Sequence, residues 1–386
     1  MSYYVDENYI ISIRRELHRF PEIGYDLPKT LALVKRELEN MGLAYTDEYG
    51  EGSVVSYINP QKEGKAIALR ADMDALPIEE KTGLPFKSEM KGQMHACGHD
   101  AHTACLLGVA KALCSMREKL DVKVKLIFQP DEEGVDSAAA KLIKNGILND
   151  FDMILALHVD NSIESGKIGV CPGASMASCR NFTVEFFGKT AHAASAHTGA
   201  DALAAAVKMY NMVHISLARK INPMENYVFS IGKLSGGTAQ NVVADFASVM
   251  GTVRTYSLET DAFIFQQIKK AAQFAAEDSG CSFEISSSEV LPPVNNDMQL
   301  SAEILETAKR IAGKENAVLI PAKMSSEDFA DYLLKVPGVL FRVGTQNPET
   351  TRTSAHNNDF VIDEKALKYG ADTMIKFILE KNLAKN

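Results

Sequence analysis

The sequence predicts an α/β protein, with a mixed central sheet flanked by helices, that carries a smaller inserted α+β domain. Extended and helical apolar patterns alternate in the first third of the chain, change character near residue 178, and return after about residue 294. A length of 386 residues also exceeds a single domain of roughly 150 residues. We therefore expect one domain of residues 1–177 and 290–386, interrupted by a second of residues 178–289.

The first domain begins with helical periodicity in IISIRRELHRF and KTLALVKRELENMG, and the second run closes on a glycine suited to a helix C-cap. Buried strands follow in AIALRADMDALP, VKVKLIFQPDEEG and MILALHV, with helical runs between them. Open α/β sheets of this kind bind ligands beyond the carboxyl ends of their strands. Most residues with reactive or ligating side chains fall there in this sequence.

The inserted segment has different strands. NFTVEFFG, NYVFSIGKLSGG, ADFASVMGTVRTYS and SFEISSSEV are amphipathic or mixed, and two long helical runs separate them. The order strand, helix, strand, strand, helix, strand predicts a small α+β layer with its helices on one face. LPPVNND predicts a hinge back to the first domain, because two prolines cannot continue a strand interior. A loop, TSAHNNDF, and a final helix complete the chain.

The composition restricts the class of partner. Hydrophobic residues make up 46% and charged residues 24%, the balance of an ordinary globular protein. A net charge of −9 without a long lysine and arginine stripe excludes a typical nucleic-acid binder. There is no signal-peptide pattern and no run of about 18 apolar residues, so we expect a cytoplasmic protein with no membrane partner. Six irregularly spaced cysteines predict reduced thiols.

The segment HACGHDAHTA, residues 95–104, places three of the nine histidines around Cys97. Thiolate and imidazole suit borderline metals such as zinc, although several of these side chains could equally be satisfied core residues near a helix start. No second CxxC or HxxxH cluster follows, which disfavours a structural zinc site.

Further ligand types follow later strands. Glu132 and Glu133 lie in QPDEEG, where adjacent glutamates diverge, so that one can bind a metal while the other acts as general base. His158 ends the strand MILALHV and His356 lies in a loop; each alone would more often be structural or solvated. Together these groups suffice for two metal ions with open positions for water and substrate. The predicted ligands are Cys97, His99, Glu133, His158 and His356.

Ordered motifs extend this pattern over most of the chain. They are RADMDALP, HACGHDAHTA, QPDEEG, ALHV, GKTAHAA, GGTAQNVV, GTVRT, SSEDF and HNNDF. The set resembles the M20 family of metallopeptidases, most closely its amidohydrolase branch of aminoacylase-like, hippurate hydrolase-like and auxin-conjugate hydrolase-like enzymes. The resemblance implies a catalytic domain, an inserted lid domain that also forms a homodimer, and two divalent ions per subunit. Zn and Mn are the expected metals, with Co and Ni as alternatives.

The resemblance also implies individual roles. Cys97 would bridge the two ions, and Glu132 matches the general base. His192 matches a lid histidine that, in dimeric relatives, stabilises the tetrahedral oxyanion in the partner's active site. Asn241 and Arg254 match residues that hold the substrate's carboxylate. Without the resemblance, His192 would be interpreted as a surface residue and Arg254 as a strand-edge charge.

Three departures from the wider family stand out. RADMDALP lacks the ligating histidine of other branches, so we expect Asp72 to be no strong ligand and Asp74 to orient one. Asp131 stands where relatives commonly carry alanine, and we expect its carboxylate to face solvent. SAHTGAD lacks the usual proline, which leaves His197, like His102, without an assigned role.

The predicted activity is that of an aminoacylase or deacetylase. Such an enzyme cleaves the amide of an N-acyl amino acid or a similar small conjugate to a carboxylic acid and an amino acid. A di- or tripeptidase on the same scaffold is the alternative, since both reactions cut an amide next to a carboxylate. A lapsed metal-binding homologue is a third interpretation, and the intact Glu132 and ligand set argue against it.

Overall fold

The computed structural model describes residues 4–134, 136–346 and 353–383. The chain forms two compact units, one of Met1–Ser175, Val294–Pro321 and Asp328–Asn386, the other of Met176–Pro293 and Ala322–Glu327. The helices are α1 (Glu7–Arg19), α2 (Pro28–Asn40), α3 (His99–Ser115), α4 (Ala138–Lys144), α5 (Ala202–Lys220), α6 (Leu258–Ser279), α7 (Met298–Ala312), α8 (Phe329–Leu333) and α9 (Leu367–Leu383).

The strands are β1 (Tyr45–Thr46), β2 (Val54–Ile58), β3 (Ala66–Asp72), β4 (Lys123–Gln129), β5 (Met153–Glu164), β6 (Ile168–Val170), β7 (Gly173–Met176), β8 (Arg180–Phe187), β9 (Tyr227–Gly236), β10 (Phe246–Thr255), β11 (Ser282–Ser287), β12 (Val294–Asn296), β13 (Ala317–Leu319) and β14 (Gly338–Gln346).

The first unit is built on a mixed sheet. Within the described residues it has eight strands in the order β1-β2-β4-β3-β5-β14-β6-β13. The central strands β4, β3, β5 and β14 pair in parallel, whereas β1–β2, β2–β4 and β14–β6 are antiparallel pairs. Every residue of β3 is buried, as expected for a central parallel strand covered on both faces. The predicted α/β class with a mixed central sheet is confirmed.

Helices of the first unit follow local sequence signals. Asp6 caps α1 by accepting the N–H of Tyr9 at 3.2 Å, and the apolar residues Ile10, Ile13 and Leu17 form its buried stripe. At the end of α2, Gly42 adopts a positive φ of 69°, which the terminal glycine predicted. The helix α3 packs against α1 and α9 and is buried over most of its circumference.

The second unit is a four-stranded antiparallel sheet, in the order β11-β8-β10-β9, with α5 and α6 packed on it. Phe182, Val184 and Phe186 alternate along β8 and are buried in the core that these helices cover. Strands and helices follow one another along the chain in the predicted order. The alternating pattern of the strands leaves one apolar face of the sheet, and the helices cover that face. The α+β character of this part is therefore confirmed.

One strand differs from its prediction. The expectation that the strand ends at His158 is wrong, since β5 continues to Glu164. Its pairing with β3 stops at Ala156, while its pairing with β14 continues. Among the described residues, one edge of β5 therefore has no strand partner from about His158 onwards, which leaves space there for side chains.

Among the residues described, none of the helices combines the length and the apolar character needed to cross a bilayer.

Candidate metal centre

The turn before α3 places Cys97 and His99. The helix begins at His99, and Gly98 precedes it with φ of 92°. A Cβ atom at Gly98 would lie only 2.4 Å from Cγ2 of Val159. Both the backbone conformation and the lack of space therefore require glycine in the CGH motif.

Asp74 connects two predicted ligands. Its Oδ1 lies 3.2 Å from Nδ1 of His99, and its Oδ2 accepts the backbone N–H of Glu133 at 3.1 Å. Nε2 of His99 is buried without a hydrogen-bond partner among the described residues. A buried ring nitrogen oriented in this way is suited to a metal ion, and the geometry agrees with the orienting role expected for Asp74.

Burial and the neighbouring polar groups act on the pKa of His99 in opposite directions. Burial lowers the pKa, but Asp72, Cys97 and the bond to Asp74 outweigh burial and raise it well above its ordinary value. Burial raises the pKa of the Cys97 thiol to about 12. A divalent ion would displace the proton from both side chains, since thiolate and neutral imidazole are the binding forms.

His158 presents one nitrogen to the same space. Its Nδ1 donates to the carbonyl of Val159 at 2.6 Å, which leaves the Nε2 lone pair 3.6 Å from Sγ of Cys97. Burial and the charge of Arg342 hold the pKa of His158 well below its ordinary value. The ring is therefore neutral, the form that binds metals.

His356 approaches from the loop after β14. Its backbone has φ of 66° and its N–H donates to the carbonyl of Ala96 at 2.8 Å, so the loop is attached beside the CGH turn. Nε2 of His356 lies 3.0 Å from Oε1 of Glu133. The hydrogen bond to Glu133 raises the pKa of His356.

The structure thus brings all five predicted ligands together. Ligand atoms of Cys97, His99 and His158 lie within 4.8 Å of one another, and so do those of Cys97, Glu133 and His356. Cys97 is common to both groups, which is the arrangement that a bridging ligand requires. Soft sulfur, imidazole and carboxylate donors in this combination fit a pair of borderline divalent ions.

Glu132, the predicted base, lies beside this cluster. Its Oε2 is 3.8 Å from Nε2 of His99, and its side chain is 10% exposed. His99, Glu132 and Glu133 form a further group of mutually close ligand atoms. Glu132 therefore has access both to the predicted ions and to solvent.

The other two histidines of HACGHDAHTA, His95 and His102, differ in their surroundings. Burial lowers the pKa of His95 to about 4, so its ring is neutral at physiological pH. His102 lies 2.6 Å from Asp72 through Nδ1. Although burial alone would raise it, His99, His102 and Arg70 hold the pKa of Asp72 well below its usual range. Asp72 is therefore an anion bonded to neighbouring side chains.

The expectation that Asp131 faces solvent is wrong. Asp131 is half-buried with φ of 51°, and its carboxylate lies against Gly134, where a Cβ would meet Oδ2 at 2.4 Å. Burial, and then the charge of Asp74, raise the pKa of Asp131, while a hydrogen bond with Tyr25 lowers it. The positive φ of Asp131 directs its side chain toward Gly134 in the same loop. The sequence did not indicate this backbone conformation.

The remaining predicted site residues belong to the second unit. His192 is exposed, and its Nδ1 accepts the N–H of Ala194 at 3.1 Å, so Nε2 carries the proton of the neutral ring. The N–H of Ala193 donates to the carbonyl of Asn241 at 3.0 Å, which makes His192 and Asn241 neighbours. Arg254 donates to Oγ of Ser326 at 2.8 Å. His197 is exposed.

A model of peptidase family M20/M25/M40 matches residues 68–380. The chain belongs to this family. A relative, N-acetyl-L-cysteine deacetylase of Bacillus subtilis, is 37% identical over 366 residues, covering 94% of this chain and 85% of the relative. Thermostable carboxypeptidase 1 of Saccharolobus solfataricus is 34% identical, covering 95% of this chain and 93% of the relative.

A solved M20 structure has the same fold over almost the whole chain. The YXEP protein of Bacillus subtilis, a dinuclear metal-binding peptidase from the M20 family, superposes with a TM-score of 0.81 at 32% identity. The superposition covers 97% of this chain and 98% of that protein. The resemblance to the M20 family that the motifs indicated is therefore confirmed.

Proposed function

We propose that this chain is a metal-dependent amidohydrolase that cleaves the amide of N-acyl amino acids or similar small conjugates. The products are a carboxylic acid and an amino acid with a free α-carboxylate. The observation that supports this most directly is the pair of ligand groups sharing Cys97, with Glu132 beside them. Membership of the M20 family and the similarity to a deacetylase support the reaction class.

Two divalent ions are proposed to be the cofactors, held by the five ligands with Cys97 between them. When bound, such a pair supplies Lewis acidity toward the scissile carbonyl and lowers the pKa of water. We propose Zn or Mn as the metals, with Co and Ni as alternatives that the mixed sulfur, imidazole and carboxylate donors also tolerate. His158 and His99 contribute neutral imidazole once their binding nitrogens are unprotonated.

The chain's own residues would move the protons. Glu132 takes a proton from the attacking water and returns it to the leaving amine nitrogen, which needs a carboxylate close to the ligands and not fully buried. His192 donates its Nε2–H to the developing oxyanion. Arg254 and Asn241 hold the substrate's α-carboxylate, for which a guanidinium is the natural bidentate partner.

A homodimer through the second unit is part of the proposal. The ten residues of β9 end the four-stranded sheet, with no strand beyond them among the described residues. An exposed edge strand of this length can pair with another chain. Apolar side chains of α5 are also exposed, namely Leu203, Val207, Tyr210 and Ile215. We infer that His192 acts in the opposite subunit of this dimer, and that the enzyme works in the cytoplasm, where its free thiols stay reduced.

The deciding experiment is hydrolysis of N-acyl amino acids and dipeptides by the metal-stripped protein, before and after Mn²⁺ or Zn²⁺ is added. We expect metal-restored release of the acyl group. Activity on dipeptides alone would instead favour a peptidase, the second candidate, to which the similarity with a carboxypeptidase points. No metal-restored hydrolysis of any substrate would contradict both.

A further inference from the structure

His102, one turn after His99 on α3, has both ring nitrogens engaged. Nδ1 lies 2.6 Å from Oδ1 of Asp72, and Nε2 accepts the backbone N–H of Val159 at 2.9 Å. Because Nε2 is an acceptor, Nδ1 carries the proton and donates it to Asp72. His102 therefore has no lone pair left for an ion, although it lies in a group of close ligand atoms with Asp72 and His99.

The acceptor of the Val159 N–H is a side chain where a sheet would normally supply a carbonyl. β3 pairs with β5 only as far as Ala156, so in the part of the chain that the structure describes, the edge of β5 that faces β3 has no strand partner at Val159. A buried N–H without an acceptor would be costly. His102 supplies that acceptor, from a ring that is 1% exposed.

Val159 directly follows the predicted ligand His158. The rings of His102 and His158 have centroids 4.5 Å apart, and Nδ1 of His158 donates to the carbonyl of Val159. His102 thus accepts the N–H of Val159, and the carbonyl of the same residue accepts the Nδ1–H of His158 and so fixes the tautomer of that ring. Any movement of this backbone would change the direction of the His158 Nε2 lone pair.

The Asp72 carboxylate that orients His102 is itself fixed by hydrogen bonds. Oδ2 of Asp72 accepts a hydrogen bond from Nη1 of Arg70 at 2.6 Å. Arg70 also donates to Gln129 at 2.9 Å and to Asp328 at 2.9 Å, and all of these side chains are buried. A network in which each buried polar group is bonded holds its members in one geometry.

We propose that His102, oriented by Asp72, is a positioning residue that sets the direction of His158, and that it is not a metal ligand. This inference rests on the proposed dinuclear site. Loss of a partner that orients a ligand lowers metal affinity about 10- to 100-fold. The loss should affect the ion bound by His158 and leave the ion bound by Glu133 and His356 unchanged.

The chain offers a matched control. His18 is also buried and lies 2.7 Å from a carboxylate, that of Asp100, through Nδ1. Its described bonds lead to Asp100, Arg14 and Glu80, none of which is a predicted ligand. Replacing His18 therefore removes a similar buried pair without touching the backbone beside His158.

The test measures Zn²⁺ affinities by chelator competition in the metal-stripped wild type, H102L, H102Q and H18L, with the free energy of unfolding of each metal-free form from urea. We expect two ions in the wild type. In H102L one ion should bind about 10- to 100-fold more weakly and the other as in wild type. H102Q, whose amide oxygen can still accept the Val159 N–H, should be intermediate. H18L should lower the unfolding free energy and keep both affinities.

The outcomes separate the inference from the proposed function. Wild-type affinities in both His102 variants, or equal weakening of both ions, would overturn the positioning role and leave the dinuclear site standing. If H102L does not fold, the affinities of H102Q decide alone. A wild-type protein that binds fewer than two Zn²⁺ ions would overturn the proposed function itself.

Discussion

Oδ1 of Asp74 lies 3.2 Å from Nδ1 of His99, while its other oxygen accepts the backbone N–H of Glu133. A single buried carboxylate thus orients one predicted ligand through its ring and another through its backbone. His99 and Glu133 come from different elements, the start of α3 and the turn after β4. Asp74 therefore links these two elements beyond what the sheet does.

We expect Asp74→Asn to lower Zn²⁺ affinity about 10- to 100-fold, since the amide removes the charge that orients His99. Metal content after dialysis at a fixed free Zn²⁺ concentration measures this change. Metal retention equal to wild type would show that His99 is oriented without Asp74.

Glu132→Gln should lower kcat by roughly 10²- to 10⁴-fold, because it removes the proton acceptor and leaves the ligands in place. The metal content of the variant should equal that of the wild type. Glu133→Gln is the comparison, and it should lose metal. Loss of metal from Glu132→Gln would mean that the roles of the two glutamates are exchanged.

Gly98→Ala should destabilise the protein by about 2–4 kcal/mol in urea unfolding, since a Cβ atom there would lie 2.4 Å from Val159. Gly83→Ala is the control. Gly83 also has a positive φ, 71°, but a Cβ atom there would have no neighbour within 4 Å. It should cost about 1 kcal/mol from backbone strain alone. Equal costs at both positions would show that the contact with Val159 is relieved without consequence.

The pH dependence of stability should include a contribution from Asp372. Burial raises the pKa of Asp372 to about 6, against 3.8 for an unperturbed aspartate. Between these values the folded state binds more protons than the unfolded state, so this contribution to stability falls as pH rises and is fully lost above about pH 6. Asp372→Asn should therefore be more stable than wild type at pH 7.5.

The expected gain for Asp372→Asn is roughly 1–2 kcal/mol at pH 7.5, shrinking toward pH 4.5, where the aspartate is largely protonated. Urea unfolding at the two pH values measures it. A variant less stable than wild type at pH 7.5 would show that the hydrogen bond from the N–H of Val5 needs the charged carboxylate.

Much of the fold could be predicted from local patterns. Periodicities of about two and 3.6 residues identified most strands and helices, because each element must direct its apolar face to a core. Boundaries were harder to predict: β5 runs on past His158 because β14 continues to pair with it, and that partner lies far along the chain.

The site was predictable in its chemistry and less so in its connections. Cys97, His99, Glu133, His158 and His356 combine ligand types with positions near strand or helix ends, and the resemblance to the M20 family singled them out as the predicted ligands. Residue type alone does not distinguish His102 from His99, which lies three positions earlier on the same helix, and the resemblance left His102 without a role. The hydrogen bonds of the folded chain make the distinction, since His102 is occupied by Asp72 and Val159.

By itself, then, the sequence determined the α/β class, the M20 family and the set of predicted ligands, because periodicity and ligand chemistry are properties of short segments. Only the tertiary structure decided which buried groups bond to one another. Arg70 and Asp328 are 258 positions apart in the chain, yet Nη2 of Arg70 donates to Oδ1 of Asp328 at 2.9 Å. The same guanidinium also bonds to Asp72. A buried polar group must be hydrogen-bonded, and its partner can come from any segment that the fold places beside it. The sequence around the group therefore does not indicate which residue that partner is.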